Sequence, residues 1–394
     1  MTEFLRYSPG IEAPDPNFDS ALEVVLEDLR QQVTASPKLD GAGVALRNAH
    51  AKGYGLARGE VEILSGLPRE YAQGIYATPG RHEAAIRFSN GQPHFSIDRA
   101  LGAVCGIGLK IFGIEGKKLL EDEPDSTTFD YAMINFPIFF ANTVEHYIFV
   151  LKVGTQATAP PPPTELPQER RARIGRFLHD FVTGMGTLEP ENWAWEELAA
   201  IAQFAQIPFV NLLLSSYHTM GSVRHGDYVA KLRVAPVKEF ADKVERRALD
   251  PNSAQQVFRP ALIEELKARP YEFDIQVQLC TNLYQMPVED VTVHWPEALS
   301  PFVTVAKLRL PQQDIGSDDN LERMDATSMS PWRVTEEHRP LGNIMRSRKE
   351  VYRVSSTLRH QLNKQVRKEP ENLAEVFGEA AAVEPARESI PTPA

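Results

Sequence analysis

Strand-like and helix-like segments come in blocks along this chain, and that ordering does most to limit its fold. A helical stretch comes first, at Phe18–Thr34, where Leu22, Val25, Leu26 and Leu29 fall on one stripe. Short apolar runs with glycine punctuation then predict strands within Val44–Leu64 and Ala84–Phe112. Ala132–Phe140 is apolar and β-prone, and Thr143–Val150 predicts the start of a helix. Gln168–Phe204 is helical in composition, whereas Tyr228–Ala235, Phe273–Cys280 and Phe302–Leu310 read as strands. Along Phe273–Cys280 the polar Asp274, Gln276 and Gln278 alternate with Ile275, Val277 and Leu279, the period of a half-buried strand. Asn343–Gln365 reads as one long helix. A doubly wound parallel sheet needs strict alternation of strand and helix, and these blocks lack it, so the expected class is α+β.

With 42% hydrophobic and 24% charged residues, the 394-residue chain has the make-up of a globular protein. Residues 1–16 read as a flexible lead, 17–368 as one domain, and 369–394 as a disordered Glu, Ala and Pro tail. Pro160–Pro163 cannot sit inside a helix and marks an extended excursion over 157–167. Two cysteines, Cys105 and Cys280, are too few for a disulfide framework or a four-cysteine zinc site. No apolar run reaches the roughly 18 residues of a transmembrane segment. The N-terminus lacks a secretory pattern, which gives a cytoplasmic location as the expectation. A net charge of −11 argues against a nucleic-acid partner, and the basic runs Glu169–Arg176 and Met345–Arg353 read as solvated helix faces. There is no P-loop and no dinucleotide fingerprint. Tyr217, His218, Arg224 and His225 read as structural residues of a loop and strand.

The long C-terminal helix carries an unusual face. Arg348 lies four residues before Tyr352, Ser355 three after it and Arg359 seven after it, so helical spacing puts all four together. Ile344, Val351 and Leu362 share or flank this stripe, which should then be apolar. One explanation is a tyrosine at a helix contact with arginines reaching to water. The other is a tyrosine phenolate bound to a metal, with Arg348 favouring the charged form. A phenolate is a hard anionic donor that suits ferric haem.

Four segments bear on that choice. They are Arg47-Asn48-Ala49-His50-Ala51-Lys52-Gly53, Arg87-Phe88-Ser89, Asn135-Phe136-Pro137-Ile138-Phe139-Phe140, and Arg348-Lys349-Glu350-Val351-Tyr352 followed by Arg359. In this order they resemble the haem catalase superfamily, over residues 40–150 and 338–365. The stretch Arg339-Pro340-Leu341-Gly342 is similar to the small catalase-related bacterial proteins, a branch that includes the allene oxide synthases of corals. The resemblance implies a catalase-like antiparallel β-barrel with surrounding helices and a haem b cofactor. It implies His50, Ser89 and Asn135 as catalytic residues and Tyr352 as the iron ligand. Arg47, Arg87, Phe139, Arg348 and Arg359 would complete the cofactor site. Three positions depart from the family pattern. The usual distal asparagine aligns with Ile134 rather than Asn135, Cys105-Gly106 replaces an Arg-Gly pair, and Tyr147 stands where a haem-stacking phenylalanine is usual.

The implied activity is cleavage of the O–O bond of hydrogen peroxide or an organic hydroperoxide. His50 would move the proton, Ser89 would fix its tautomer, and Asn135 would orient the peroxide. Fatty-acid hydroperoxide isomerisation or lysis, and haem binding without turnover, are the alternatives. No anchor for NADPH is visible. Catalase-type proteins commonly assemble, so a homo-oligomer is compatible with the resemblance.

Overall fold

A computed structural model gives the conformation of the chain and describes residues 3–39, 43–91, 98, 104–157, 164–204, 206–250, 252–254 and 256–378. Helix α1 (Phe18–Leu39) precedes an antiparallel meander of β1 (Lys52–Ile63), β2 (Gly80–Asn90), β3 (Cys105–Ile111) and β4 (Phe129–Ile134). An excursion of α2 (Val144–Ala157), α3 (Pro167–Val182) and α4 (Trp195–Phe204) follows. The chain returns through β5 (Tyr217–His218), β6 (Val223–His225), β7 (Tyr228–Pro236), α5 (Lys238–Ala241), α6 (Phe258–Ala268), β8 (Tyr271–Leu279) and β9 (Val303–Leu310). Helices α7 (Asp318–Ala326), α8 (Asn343–Leu362) and α9 (Leu373–Phe377) complete the described elements.

The sheet closes on itself. Its order is β5-β4-β3-β2-β1-β9-β8-β7, and β5 also pairs with β7, so eight antiparallel strands form a barrel with β6 as an extra strand on β7. Closure needs strands that bend, and the register shifts at Gly53/Gly55 in β1 and at Ile275/Gln276 between β8 and β9 supply the bends. A barrel of eight strands has a lumen that side chains fill. Tyr54, Phe88, Leu109, Phe129, Leu232, Ile275 and Leu308 do so, all 2% exposed or less. The period-two pattern of β8 is thus realised, with Phe273, Ile275 and Val277 in the lumen and Asp274 turned outward to Lys307.

Both ends of the chain depart from expectation. The lead is fastened to the barrel and to α8: Leu5 N–H donates to Cys280 O at 2.8 Å, Tyr7 N–H to Asp227 O at 2.8 Å, and Arg346 Nη2 to Glu12 at 2.8 Å. The first part of the expected tail, residues 369–378, carries Glu369 against Lys110 and Arg333 and then forms α9. Residues 379–394 and the Pro160–Pro163 run lie outside the described residues. Helix α8 ends at Leu362, where Asn363 caps it and ties it to Ala45 through Nδ2 at 2.9 Å. No helix among the described residues is long and apolar enough to cross a membrane.

Candidate active site

The outer face of the first barrel strands is where the singled-out residues meet. Arg87 and Ser89 project outward from β2, Gly106 and Gly108 leave room on β3 for His50 and Met329, and β4 offers the carbonyl of Ala132. Against this face lie the segment before β1, α7 and α8.

His50 sits at φ +52°, in the left-handed region that side chains with a Cβ rarely adopt. Arg87 Nη2 donates to the His50 carbonyl at 2.7 Å and holds it there. The ring lies directly on Gly106: a Cβ at that position would fall 2.7 Å from His50 Cε1, so only glycine fits beneath it. His50 Nδ1 is 3.1 Å from Ser89 Oγ, which donates to Gly106 O at 3.3 Å. The serine has one proton to give, and giving it to the carbonyl makes His50 Nδ1–H the donor to Ser89 Oγ. His50 Nε2 then keeps its lone pair. Burial, followed by the positive charges of Arg87 and Arg348, lowers the His50 pKa to about 3. The imidazole is therefore neutral across the physiological range.

Helix α8 supplies the facing wall. Arg348 Nη2 donates to Tyr352 Oη at 2.9 Å and to Ala132 O at 3.1 Å, which ties the tyrosine to the barrel through one guanidinium. Ser355 Oγ donates to Asn48 Oδ1 at 3.1 Å and fastens the same helix face to the segment that carries His50. Arg348 acts on the His50 ring and Tyr352 acts on Arg47, Arg87 and Tyr147, so the two walls form one electrostatic unit.

Buried Arg87 and Arg359 and half-buried Arg47 cluster around Asp325, whose side chain is 35% exposed. Arg47 Nη1 pairs with Asp325 at 3.0 Å and its Nη2 donates to Thr327 O at 2.6 Å. Arg359 Nη1 donates to the Asp325 carbonyl. Burial pushes Arg87 down to about 9 and Arg359 down to about 8, each helped by the Arg47 charge. One carboxylate faces three guanidiniums, and Nε of Arg87, Arg359 and Arg348 has no hydrogen-bond partner among the described residues. Buried donors are ordinarily satisfied, so this cluster has the make-up of an anion site.

Asn135 continues β4 beside Cys105. Its Oδ1 accepts from Cys105 N–H at 2.8 Å and its own N–H donates to Cys105 O at 2.9 Å, which extends the β3–β4 ladder by a residue. Ile134, the alternative position, is an apolar side chain 5% exposed. Phe139 is buried and packs tilted against Phe140 at 4.2 Å and near Tyr147 at 6.1 Å. Phe204 of α4 closes the wall, 4.5 Å from Phe136 and 5.7 Å from Phe140. Burial, followed by the Tyr352 charge, raises the Tyr147 pKa to about 12, so its hydroxyl stays protonated.

Helix α7 was missed by reading the sequence. It brings Asp325 to the arginines, and Met324 over Gly53, where a Cβ would fall 2.1 Å from its methyl carbon. The available signal was the start Ser317-Asp318-Asp319-Asn320, a serine cap with acids in the first turn, whose Oγ accepts from Asn320 N–H at 3.2 Å.

A scan against protein-family models finds no match, and a search of curated proteins finds none either. Solved structures do match. A fungal catalase is similar at 16% identity and a TM-score of 0.58, covering 100% of this chain and 79% of its own. Catalase A from Saccharomyces cerevisiae matches at 17% identity and 0.58, covering 99% and 78%. A bacterial catalase matches at 16% and 0.58, covering 99% and 70%. At these identities the likeness establishes the fold: a catalase-like antiparallel β-barrel with surrounding helices.

Proposed function

We propose that this protein is a haem-dependent hydroperoxidase of the catalase superfamily, with Tyr352 as the iron ligand. The arginine cluster carries the reading: an excess of two positive charges, with Nε of Arg87 and Arg359 unpaired among the described residues, lies beside His50 and Tyr352. Haem b has two carboxylates and fits that deficit in charge and in hydrogen-bond acceptors. Arg47, Arg87 and Arg359 would hold those carboxylates, Phe139 and Tyr147 would lie against the ring system, and Arg348 would stabilise the anionic oxygen of Tyr352.

When bound, haem would supply the iron and the electrons for O–O cleavage. The chain's own part is proton handling and orientation. His50 is neutral with a lone pair on Nε2, so it accepts the proton of an incoming hydroperoxide there and returns it to the departing oxygen. Ser89 and Gly106 keep the tautomer and the ring position through this transfer. Asn135 acts as a positioning residue under that seat. The aromatic wall of Phe136, Phe139, Phe140, Tyr147 and Phe204 favours a hydroperoxide with an apolar substituent over hydrogen peroxide.

The visible spectrum of the haemin-supplemented protein tests the assignment. An intense Soret band is expected, with its loss or displacement in Tyr352→Phe. An unchanged spectrum in that variant would overturn the ligand assignment. His50→Ala is expected to bind haem and to cleave hydroperoxide about 10²–10⁴ times more slowly.

A further inference from the structure

Helix α3 carries an apolar stripe, Ile174, Phe177, Leu178, Phe181 and Val182, at the spacing of a helix with one buried face. Among the described residues, only the C-terminal half of that stripe is covered. Phe181 and Val182 pack with Val153 and Ala194, and Phe177 joins their edge. Ile174 is 44% exposed, Leu178 41%, and Leu166 at the start of the helix 50%. Single exposed apolar residues are ordinary, but an apolar stripe left uncovered along one helix face marks a contact surface.

The charges beside the stripe indicate what meets it. Arg170 and Arg171 lie four and three residues before Ile174, on the same face. Both are exposed and neither is in an ion pair among the described residues, whereas Arg173 is taken by Glu165 at 2.7 Å. In a chain of net charge −11, this is a local basic and apolar strip. A second copy of the chain is a poor match, because a two-fold contact across the strip would bring like charges together. The acids Glu189, Glu191 and Glu196 flank the exposed Trp193 and Trp195 at the start of α4, so the positive charge is confined to α3.

We propose that α3 docks on an anionic lipid surface, with Ile174 and Leu178 entering the interface and Arg170 and Arg171 on the headgroups. The same excursion turns Phe204 of α4 onto the aromatic wall of the candidate site. Docking would therefore bring that wall to the bilayer, where lipid hydroperoxides are found. This supply role rests on the peroxide reading; the docking does not.

The full-length protein, with and without haem, is floated with vesicles of phosphatidylcholine alone and of equal parts phosphatidylcholine and phosphatidylglycerol. Binding to the anionic vesicles, weakened by salt, is expected. Arg170→Gln with Arg171→Gln should weaken partitioning about thirtyfold. Ile174→Ser with Leu178→Ser should weaken it by more than about tenfold, and both pairs should keep the circular dichroism of the parent. Absence of flotation, equal binding to both vesicles, or indifference to both pairs would overturn the proposal. So would a fall in oligomeric state in the Ile174/Leu178 variant without any vesicle binding, which would make the strip an interface between copies. Flotation is read without peroxide, so its failure and the failure of the hydroperoxidase reading are separate results.

Discussion

At residue scale, the site depends on how closely β3 lets the His50 ring approach. Gly106→Ala would put a methyl 2.7 Å from His50 Cε1 and 2.9 Å from the Met133 carbonyl. The backbone oxygen cannot yield, so the ring must lift away from Ser89. We expect this variant to retain haem and lose peroxide turnover, with a defect close to that of His50→Ala; turnover at the parent rate would show that the seat is not required. The low pKa of His50 gives a second expectation. A base with a pKa of about 3 is unprotonated throughout the neutral range. The kcat/KM for hydroperoxide should therefore be level from about pH 5 upward and fall only in stronger acid, whereas an ordinary histidine would give a limb near its usual 6.5. A limb between about pH 6 and 7 would count against the geometry that buries it.

Between α7 and α8, three guanidiniums share one carboxylate, and the imbalance has opposite consequences with and without an anion. In the bare protein, burial of Arg359 is opposed by desolvation first and by Arg47 and Arg87 beside it, with Asp325 as the counter-charge. Replacing such a cation by an apolar group of similar reach removes that cost. Arg359→Met should raise the stability of the haem-free chain by about 1–4 kcal/mol in urea unfolding and weaken haem retention. A variant destabilised in the haem-free state would mean that the cluster is self-sufficient. This element also shows what a sequence can and cannot disclose. The face of α8 was legible because Arg348, Tyr352, Ser355 and Arg359 repeat at helical spacing, and the contacts of Arg348 with Tyr352 and Ser355 with Asn48 follow from it. The strands were legible from glycine punctuation and from the alternation along β8. Asp325 was not, because α7 is short and polar and its part in the site is set by packing on β1. The lead was not legible either. Its bonds run to backbone groups more than two hundred residues away and leave no local pattern. Removing residues 1–16 should accordingly take the Ala13 and Asp15 contacts from Asn343 and the Glu12 contact from Arg346 at the start of α8, and lower both the melting temperature and haem retention. Parent-like values for both would restore the flexible lead of the sequence reading.

For the whole molecule, buried histidines contribute a large part of the response to acid. His225 of β6 and His338 pack edge to face at 5.7 Å, with His338 against Phe129 and Tyr76. His225 Nε2–H donates to Tyr71 O at 3.0 Å, and Ile75 N–H donates to His338 Nε2 at 2.9 Å. Neither Nδ1 has a hydrogen-bond partner among the described residues. Burial lowers His225 to about 4 and, with the His225 and Arg224 charges, takes His338 well below its usual range. Burial, then the Arg233 charge, lowers His218 to about 3, and His50 stands at about 3. In the unfolded chain all four take up a proton near 6.5. The unfolded state thus binds more protons below that pH, and stability falls as the pH drops from about 6.5 toward the folded values. Each neutral histidine contributes about 1.4 kcal/mol per pH unit in that window, so the four together remove about 5 kcal/mol between about pH 5.5 and 4.5. That is comparable with the whole stability of an ordinary domain. Urea unfolding at a series of pH values should show a plateau above about pH 7 and a steep loss beginning near 6. Replacing His225 and His338 together by Gln removes two of these titrations and should make the loss with acid less steep. A stability level from neutral to about pH 4 would mean that the folded chain takes up these protons, against the burial that lowers all four.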